Sequence, residues 1–301
     1  MNRRNFAKVG CAAAWTLGVH AQTRATPGGG TVRQEWLDRR KEPILEPSLP
    51  IIDPHHHLFI RPWAHYMSDE LLKDLSSGHN VIGTVHVQCR TMYRKDGPVE
   101  MQPVGETEFV NGVAAMFASG IFGESRACAG IVGQANLMLG SRVEPVLAAH
   151  LRAGGDRFRG INHTGTPLGI GAYRGRRDEV FSRWSASMKA LAAHPNVFVK
   201  LGGLGMRYIG LDYGTQAEPP SSEVLATAYR PFVETCIKAF GVSRVMFESN
   251  FPVDKVSYSY PVFWNACKLL TKGMSASEKR ELFAGTADRF YRLHMLGRTQ
   301  A

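Results

Sequence analysis

The sequence predicts an α/β fold built on parallel strands. Six apolar segments rich in β-branched residues begin near residues 51, 81, 127, 158, 196 and 244, and they alternate with segments of helical periodicity. Polar side chains stand at the C-terminal ends of these strands, which is the edge where parallel α/β folds place their chemistry. The alternation and the position of the polar residues together are the grounds for the prediction.

The first 21 residues are predicted to be a cleaved export signal. A basic stretch is followed by Val9–Val19, an uncharged segment too short to span a bilayer. The adjacent Arg3 and Arg4 resemble a twin-arginine signal, and the residues ending at Ala21 offer a cleavage site. We therefore expect a periplasmic or otherwise exported protein with no stable membrane anchor after cleavage. A disordered basic N-terminus is the alternative.

Residues 22–49 are predicted to be a linker with one short helix, ahead of a single folded domain at residues 50–296. Gln22–Gly30 is polar and ends in three glycines, which is typical of a flexible tether. Val32–Lys41 has the composition of a short helix and stops before Pro43. The chain as a whole is 44% hydrophobic and 21% charged, which is ordinary for a protein with one substantial core.

The charge balance favours a small anionic partner over nucleic acid. The formal net charge is +10 at pH 7, and loss of the three basic residues of the export signal lowers it to +7. The basic residues are scattered, with local clusters only at Arg39–Lys41 and Arg174–Arg177, and no aromatic platform is interleaved with them. We expect an anionic small-molecule substrate and no nucleic acid, and the sequence leaves open whether the chain forms a homo-oligomer.

Four cysteines follow the export signal at wide spacings: Cys89, Cys128, Cys236 and Cys267. These spacings exclude a closely spaced CxxC metal knuckle. Three of the four sit in apolar strand-like or helix-like contexts, so buried free thiols are expected, although an oxidising compartment permits disulfides.

The first strand ends in a histidine triplet that predicts a metal site. Ile51 and Ile52 suit a buried strand, and alternate side chains of an extended segment share a face. His55 and His57 therefore project together, whereas His56 points away. Two imidazoles at that spacing can bind one metal ion, with further ligands from other strands. The alternatives are a pair of hydrogen-bonded core histidines and a solvated polyhistidine run.

The second strand is predicted to carry two substrate contacts. Val81–Cys89 is rich in β-branched residues, as interior parallel strands are. Thr84, His86 and Gln88 share one face of this strand. If that face looks into a barrel, Gln88 and His86 approach the C-terminal mouth. A core histidine is an equal alternative for His86.

Later strands also end in polar residues. The fourth strand ends at His163, in a polar turn where a ligand could bind. Lys200 lies on an otherwise apolar strand, where a buried ammonium needs a partner or a function. The last strand delivers Glu248, and Asn250 shares its face. These positions gather at one edge of the predicted sheet.

Four motifs together resemble the amidohydrolase-related TIM-barrel hydrolases, in the branch of sugar-acid lactonases and 2-pyrone-4,6-dicarboxylate lactonase. Pro50–Phe59 looks like the family's first strand, and Asn162–Pro167 looks like its later His-x-Gly-x-Pro strand end. Val245–Pro252 looks like the last barrel strand, and Leu282–Tyr291 looks like the closing helix. The resemblance runs from about Trp36 to the C-terminus and implies a TIM-type parallel (β/α) barrel.

The resemblance also implies a mechanism. His55, His57 and His163 would hold a divalent metal, zinc or manganese, that polarises a carbonyl and lowers the pKa of a bound water. Some relatives hydrolyse lactones without a metal, with the same histidines polarising the carbonyl directly. Glu248 or Asp254 would accept the proton of the water. The predicted substrate contacts are His86, Gln88, Lys200 and Asn250.

Asn250 departs from the family pattern, which places an aspartate, the general base, at this position. An amide cannot accept the proton of water, so the role must move or disappear. Glu248, two residues earlier on the same face, is the natural substitute, and Asp254 is the second candidate. The alternative for Glu248 is a structural ion pair, for instance with Lys200.

The number of strands is the second departure. Six strands are recognisable, whereas a closed barrel of this family needs about eight. Arg157–Gly160 looks like the family's fourth strand and Ile161–His163 looks like its sixth. We therefore predict that about two strand units are missing at the Gly160/Ile161 junction, which would leave the barrel incomplete, reclosed with fewer strands, or completed by a partner.

These observations predict a hydrolase that acts on a small anionic ester, specifically a lactone. A metal-dependent decarboxylase of aromatic acids is the second enzyme class, because related metal barrels remove carboxylate from such acids. A degenerate, non-catalytic relative that binds a ligand without turnover is the third reading, because Asn250 replaces the base and strands are predicted to be missing.

Overall fold

The computed structural model describes residues 30–162, 175–206 and 211–297. The predicted export signal and the predicted ligand His163 lie outside these ranges. In chain order the elements are α1 (Gln34–Leu37), β1 (Ile51–His56), β2 (Phe59–Arg61), β3 (Ala64–Tyr66), α2 (Ser68–Leu75), β4 (Val81–Val87), α3 (Val104–Ala118), β5 (Arg126–Gln134), α4 (Glu144–Gly154), β6 (Phe158–Asn162), α5 (Arg177–Ala192), β7 (Val199–Leu201), α6 (Ser222–Phe240), β8 (Val245–Phe247), α7 (Tyr260–Leu270), α8 (Ala276–Arg280) and α9 (Thr286–Tyr291).

Short helical turns connect several of these elements. One of them, Asp254–Val256, follows β8 and carries a candidate base. A π-helical turn, Glu281–Gly285, joins α8 to α9. The remaining short turns are Val99–Met101, Leu137–Val143, Gly155–Arg157, Tyr213–Thr215 and Val242–Arg244.

All six predicted parallel strands are present, and the α/β prediction is confirmed. Strands β1, β4, β5 and β6 form a parallel sheet in that order, and β7 pairs in parallel with β8. Short strands β2 and β3 form an antiparallel hairpin immediately after the histidine triplet, which the sequence analysis did not anticipate. Parallel neighbours need a crossover connection, and helices α2, α3 and α4 lie in the connections between β1, β4, β5 and β6.

An isolated parallel bridge between His56 and Phe251 brings the two parallel sheets together. The carboxyl end of β1 therefore lies beside the segment that follows β8. Within the described ranges the parallel ladders join β1, β4, β5 and β6 into one sheet and β7 and β8 into another, so closure into a barrel and the loss of strands both stay predictions.

Aromatic packing beneath the strands supports this edge. Phe247 of β8 packs on Phe283 of the π-helical turn with ring centroids 5.0 Å apart, and Trp264 of α7 lies 6.1 Å from the same ring. All three side chains are almost completely buried. Buried aromatic contacts of this kind stabilise a core through both area and ring geometry, so the last strand is held firmly under the site.

The described part of the predicted linker is fixed to the folded body. The indole Nε1 of Trp36 donates to the carbonyl oxygens of Gln216 and Ala217, at 3.1 and 3.0 Å. The Leu45 amide donates to Asn265 Oδ1 of α7 at 2.9 Å. These contacts join residues about 180 to 220 positions apart in the sequence, so residues 30–49 pack against the folded domain. Within the described ranges, no helix is both long enough and apolar enough to cross a membrane.

Candidate active site

The backbones of three segments meet at the candidate site. The amide of His57 donates to the carbonyl of Phe251 at 2.7 Å, and the amide of Asn250 donates to the carbonyl of His55 at 2.9 Å. The amide of Glu248 donates to Leu201 of β7 at 3.2 Å. The carboxyl ends of β1, β7 and β8 therefore converge, as expected for parallel strands.

His55 belongs to a buried three-residue cluster. Its Nδ1 lies 2.8 Å from Glu248 Oε2, and Lys200 Nζ lies 2.7 Å from the same oxygen and 2.8 Å from Nδ1. Nδ1 thus faces both a carboxylate, which only accepts, and an ammonium, which only donates. We assign the imidazole proton to Nδ1, with the Lys200 ammonium donating to Glu248 Oε2 instead, and Nε2 then carries the lone pair. Burial is the largest influence and, together with the Lys200 ammonium, lowers the pKa of His55 against the raising effect of Glu248, so the ring is neutral at pH 7.

His57 has the same protonation pattern by a different route. Its Nδ1 lies 2.8 Å from the carbonyl oxygen of Val87, which can only accept. Nδ1 therefore carries the proton and Nε2 carries the lone pair. The two rings, His55 and His57, meet edge to face with centroids 4.8 Å apart. The structure thus brings together the two histidines that the strand alternation placed on one face.

Asn250 presents an acceptor to His57. Its Nδ2 donates to Asp254 Oδ1 at 2.9 Å, which turns Oδ1 toward His57 Nε2 at 3.3 Å. Burial lowers the pKa of His57 well below its ordinary value, so Nε2 is unprotonated at pH 7. Two lone-pair atoms therefore face one another in a buried position, and a cation or a proton donor between them would relieve the repulsion.

Asp254 is fully buried behind Asn250. Oδ2 accepts hydrogen bonds from the Gly205 amide at 3.0 Å and from the Tyr258 hydroxyl at 2.7 Å, and Oδ1 accepts from Asn250. Burial is the largest influence and raises the pKa of Asp254 to about 7, against the lowering effect of these donors. Asp254 is therefore close to half-protonated at neutral pH.

Glu248 has the opposite electrostatic character. Burial raises its pKa, but the adjacent His55 and Lys200 outweigh burial and lower it to about 2. The pKa of Lys200 is raised, although burial itself lowers it, because Glu248 stabilises the ammonium. Glu248 and Lys200 are thus an ion pair at neutral pH. A carboxylate with so low a pKa is a weak proton acceptor.

Asp53 was missed as a site residue by the sequence analysis. It is completely buried, and its Oδ1 accepts from the amides of Ser249 and His55 at 3.0 and 3.3 Å, while Tyr260 donates to Oδ2 at 3.0 Å. Burial, the largest influence, raises its pKa to about 6. Its position two residues before His55, on the same face, was the available signal. Asp53 holds the histidine strand to the segment after β8.

The central histidine, His56, points away from its neighbours as predicted. Its Nε2 lies 2.8 Å from Thr84 Oγ1, and its ring stacks edge to face with His86 at a centroid distance of 5.7 Å. His86 Nε2 in turn lies 3.2 Å from Glu106 Oε1, a residue that the sequence analysis did not single out. The predicted substrate contact His86 is therefore engaged by a carboxylate of α3.

Gln88 follows Val87, the residue that fixes His57. Its side chain is buried, and its Oε1 has no hydrogen-bond partner among the residues that the structure describes. A buried acceptor without a donor is costly, so a ligand hydroxyl or an ordered water at this position would be stabilising. Gln88 thus keeps the character of a substrate contact.

The donor set fits a metal ion. Histidine ligands in metal sites characteristically donate their second ring N–H to a carboxylate or a backbone carbonyl, which fixes the tautomer. His55 does so to Glu248 and His57 does so to Val87. The unrelieved pair of acceptors at His57 and Asn250 adds a position where a cation would be favourable.

Comparison with known proteins supports the same family. The model of the family described as amidohydrolase matches residues 161–293. An uncharacterised protein, y4mH, of Sinorhizobium fredii is 41% identical over 133 residues, which is 44% of this chain and 38% of that protein. An L-fucono-1,5-lactonase of Burkholderia multivorans is 30% identical over 142 residues, which is 44% of this chain and 42% of that protein. The matches thus span about two fifths of the length of these curated relatives.

A solved structure extends the likeness to the first half of the chain. A Burkholderia multivorans amidohydrolase crystallised with HEPES has a TM-score of 0.61 at 20% identity, over 80% of this chain and 99% of that one. A second crystal form of an amidohydrolase from that organism, with bound zinc, gives the same values. At this identity the likeness bears on the fold alone. Together with the family match it confirms the resemblance to amidohydrolases that the motifs indicated.

Proposed function

We propose that this amidohydrolase-like chain, with the family's match in residues 161–293, is a hydrolase for a small anionic ester, specifically a hydroxylated lactone. One observation carries the proposal. Two neighbouring buried imidazoles, His55 and His57, each have Nδ1 committed to a fixed acceptor, which leaves both Nε2 atoms as lone-pair donors. That arrangement suits a metal ion that activates a carbonyl.

His55 and His57 would hold the metal, and His163, which lies outside the described residues, is the third ligand that we propose. Imidazole ligands with a carboxylate environment fit zinc or manganese. When bound, such an ion supplies Lewis acidity to a substrate carbonyl and acidifies water. Metal-free hydrolysis, with a histidine polarising the carbonyl, is the variant of this proposal in which no cofactor is needed.

The proton of the attacking water has two candidate acceptors, and each meets one requirement. Asp254 has a pKa of about 7, which matches a general base, but it is one hydrogen bond removed from His57, behind Asn250. Glu248 contacts His55 directly and uses only Oε2 in doing so, but its pKa of about 2 makes it a weak base. General bases contribute roughly 10²–10⁴-fold, so we expect slow turnover.

Two contacts favour an anionic, hydroxylated substrate. Lys200 brings an ammonium to the site, although Glu248 already neutralises much of its charge. The buried Oε1 of Gln88 accepts no hydrogen bond from the described residues, so a substrate hydroxyl would satisfy it. A sugar-acid lactone has the hydroxyls that such an acceptor needs. The name of the Burkholderia relative, an L-fucono-1,5-lactonase, agrees with a hydroxylated lactone, although that lactone is uncharged and so does not draw on the Lys200 ammonium.

Asn250 favours a second candidate, the metal-dependent decarboxylation of an aromatic acid. Loss of carbon dioxide does not require a base that deprotonates water, so an amide at this position is compatible with it. The same residue also fits the third reading, a protein that binds its ligand without turnover. The decarboxylase and the non-catalytic binding protein differ in a measurable product, because only the decarboxylase releases carbon dioxide.

The proposed setting follows from the sequence. We propose export through the twin-arginine-like signal at residues 1–21, a small anionic substrate as the partner, and no binding of nucleic acid. Whether copies of the chain associate is left to measurement. Folding before export would suit a protein that acquires its metal in the cytoplasm.

A product-resolved assay tests these alternatives. The purified chain, supplied with zinc or manganese, is incubated with L-fucono-1,5-lactone, a simple carboxylate ester and a hydroxybenzoic acid, and acid release and carbon dioxide are both followed. The proposal expects acid release from the lactone above the spontaneous rate and no carbon dioxide. Release of carbon dioxide from the aromatic acid would contradict the hydrolase proposal and support the decarboxylase. The absence of turnover with all three substrates would contradict both enzymes and support a protein that only binds its ligand.

A further inference from the structure

A second set of metal-ligating side chains lies at the end of β4, apart from His55 and His57. His86 is the penultimate residue of that strand, Cys89 follows it by three residues, and Glu106 stands in the first turn of α3. Ligand atoms of the three residues all lie within 4.8 Å of one another. One carboxylate, one thiol and one imidazole thus converge on a single point.

Two of the three separations between ligand atoms match those of a metal coordination sphere. His86 Nε2 lies 3.2 Å from Glu106 Oε1, and Cys89 Sγ lies 3.3 Å from the same oxygen. Tetrahedral zinc with bonds of about 2.0 Å to nitrogen and oxygen and about 2.3 Å to sulfur places neighbouring ligand atoms roughly 3.2–3.6 Å apart. The third separation, between His86 Nε2 and Cys89 Sγ, lies within 4.8 Å, so these two side chains would draw together to about 3.5 Å on taking up an ion.

Backbone and side-chain hydrogen bonds hold the three ligand residues in place. The carboxylate of Glu106 is fixed by the Cys89 amide at 2.8 Å and the Arg90 amide at 3.2 Å, and Arg61 donates to the carbonyls of Cys89 and Arg90 at 2.8 and 3.2 Å. The side chains of His86 and Glu106 are 0% and 3% exposed. Oriented, buried ligands pay little conformational entropy on binding.

We propose that His86, Cys89 and Glu106 form a zinc site that is separate from the His55–His57 site. Thiolate, imidazole and carboxylate are all zinc ligands, and three protein ligands leave one position for a water or another donor. The site would tie the turn after β4 to the first turn of α3. That turn begins at Val87, whose carbonyl orients His57.

The charge balance of binding follows from the free cluster. Burial, followed by the charge of Glu106, raises the pKa of the Cys89 thiol, so sulfur is protonated before the ion arrives. Zinc takes the thiolate, and the thiol proton leaves to solvent. His86 would bind the ion through Nε2, which leaves the ring proton on Nδ1. The thiolate and the carboxylate together then neutralise the divalent ion.

Cobalt substitution tests the proposal without reference to any catalytic activity. Metal is stripped from the full-length chain with a chelator, Co²⁺ is titrated back, and the thiolate-to-cobalt charge-transfer band in the near ultraviolet is followed. We expect the band to saturate at one equivalent of metal in His57→Ala, and at no more than two equivalents in the wild-type chain, where the His55–His57 site competes for the ion. It should be absent in Cys89→Ser, weakened in Glu106→Gln and retained in His57→Ala. No band in the wild-type chain would overturn the proposal.

Two controls separate this site from other thiols. Cys236 lies buried on α6, so Cys236→Ser should retain the band. Cys128→Ser should also retain it, because the Cys128 thiol contacts His56 and not the proposed ligands. If Cys89→Ser fails to fold, alkylation of wild-type protein followed by peptide mapping decides the matter. Zinc should protect Cys89 from alkylation, and equal labelling with and without zinc would contradict the assignment.

Discussion

His57 Nε2 and Asn250 Oδ1 lie 3.3 Å apart, and the proton positions that we assign from their other hydrogen bonds leave a proton on neither atom. The Val87 carbonyl fixes the protonated side of His57, and Asp254 fixes the amide orientation of Asn250. Neither side chain can turn without losing its other hydrogen bond. The pair is therefore a position prepared for a third group, and this relationship underlies the predictions about the site.

Asn250→Asp should raise lactone hydrolysis by about 10²-fold or more, because it places a carboxylate base beside His57. Aspartate tolerates the left-handed backbone at this position, where φ is 56°, as asparagine does. Steady-state rates with L-fucono-1,5-lactone measure the effect. Asn111→Asp on α3, a partly buried amide that contacts Arg157, is the matched control and should leave the rate unchanged. An unchanged or lower rate in Asn250→Asp would count against the assigned geometry.

Glu248→Gln should destabilise the fold by about 3–5 kcal/mol, because it leaves the buried ammonium of Lys200 without its counter-charge. Adding Lys200→Met should recover part of that loss, since it removes the unpaired charge. Urea unfolding of the two single variants and the double variant gives the coupling free energy. Strictly additive losses would show that the two side chains are not coupled as the structure has them.

Gly202→Ala should disturb the site by displacing Glu248. A Cβ atom at this position would overlap the side-chain Cγ and the backbone oxygen of Glu248. Overpacking of this kind costs about 1–3 kcal/mol, and here it also moves the group that orients His55. Gly160→Ala on β6 is the control, because nothing lies within 4 Å of a Cβ atom there. Thermal unfolding of both variants is the measurement, and equal midpoints would contradict the predicted overlap.

His79 should make the fold less stable in acid. Burial and the adjacent Lys268 ammonium lower its pKa from 6.5 to about 4, so the unfolded chain takes up the proton first. The contribution is fully present above pH 6.5, is lost as the pH falls from 6.5 to about 4, and the loss has reached about 3 kcal/mol at pH 4. His79→Gln should flatten the midpoint-versus-pH curve in that window. His194→Gln, at an exposed position, should not; parallel curves for wild type and His79→Gln would refute the attribution.

The strands were predictable because their signal is local. β-branched runs and period-two alternation placed β1, β4 and β8 close to their observed bounds and put His55 and His57 on one face. Lys200 was recognised as a buried cation in need of a partner, and the structure supplies Glu248 at 2.7 Å. The β2–β3 hairpin was not predicted from the sequence, because its strands are too short to leave a periodic pattern.

The long-range contacts were not predictable from one sequence. Asp53 meets Ser249 across 196 residues, and nothing in the local pattern of either segment specifies that contact. Glu106 is an ordinary first-turn acid by sequence, where the helix dipole favours it, and only the fold brings it to His86. Strand closure depends on pairings of the same long-range kind, so the predicted loss of strands near Gly160 is not decided by the described ladders.

The most direct test of the central claim compares kcat/KM for L-fucono-1,5-lactone in the wild-type chain, His57→Ala and His194→Ala, with circular dichroism to confirm that each is folded. Loss of the imidazole that we place on the substrate carbonyl or its metal should lower kcat/KM by at least about 10²-fold. His194→Ala should match the wild type. Hydrolysis that is equally fast in the wild type and in folded His57→Ala would contradict the proposed active site.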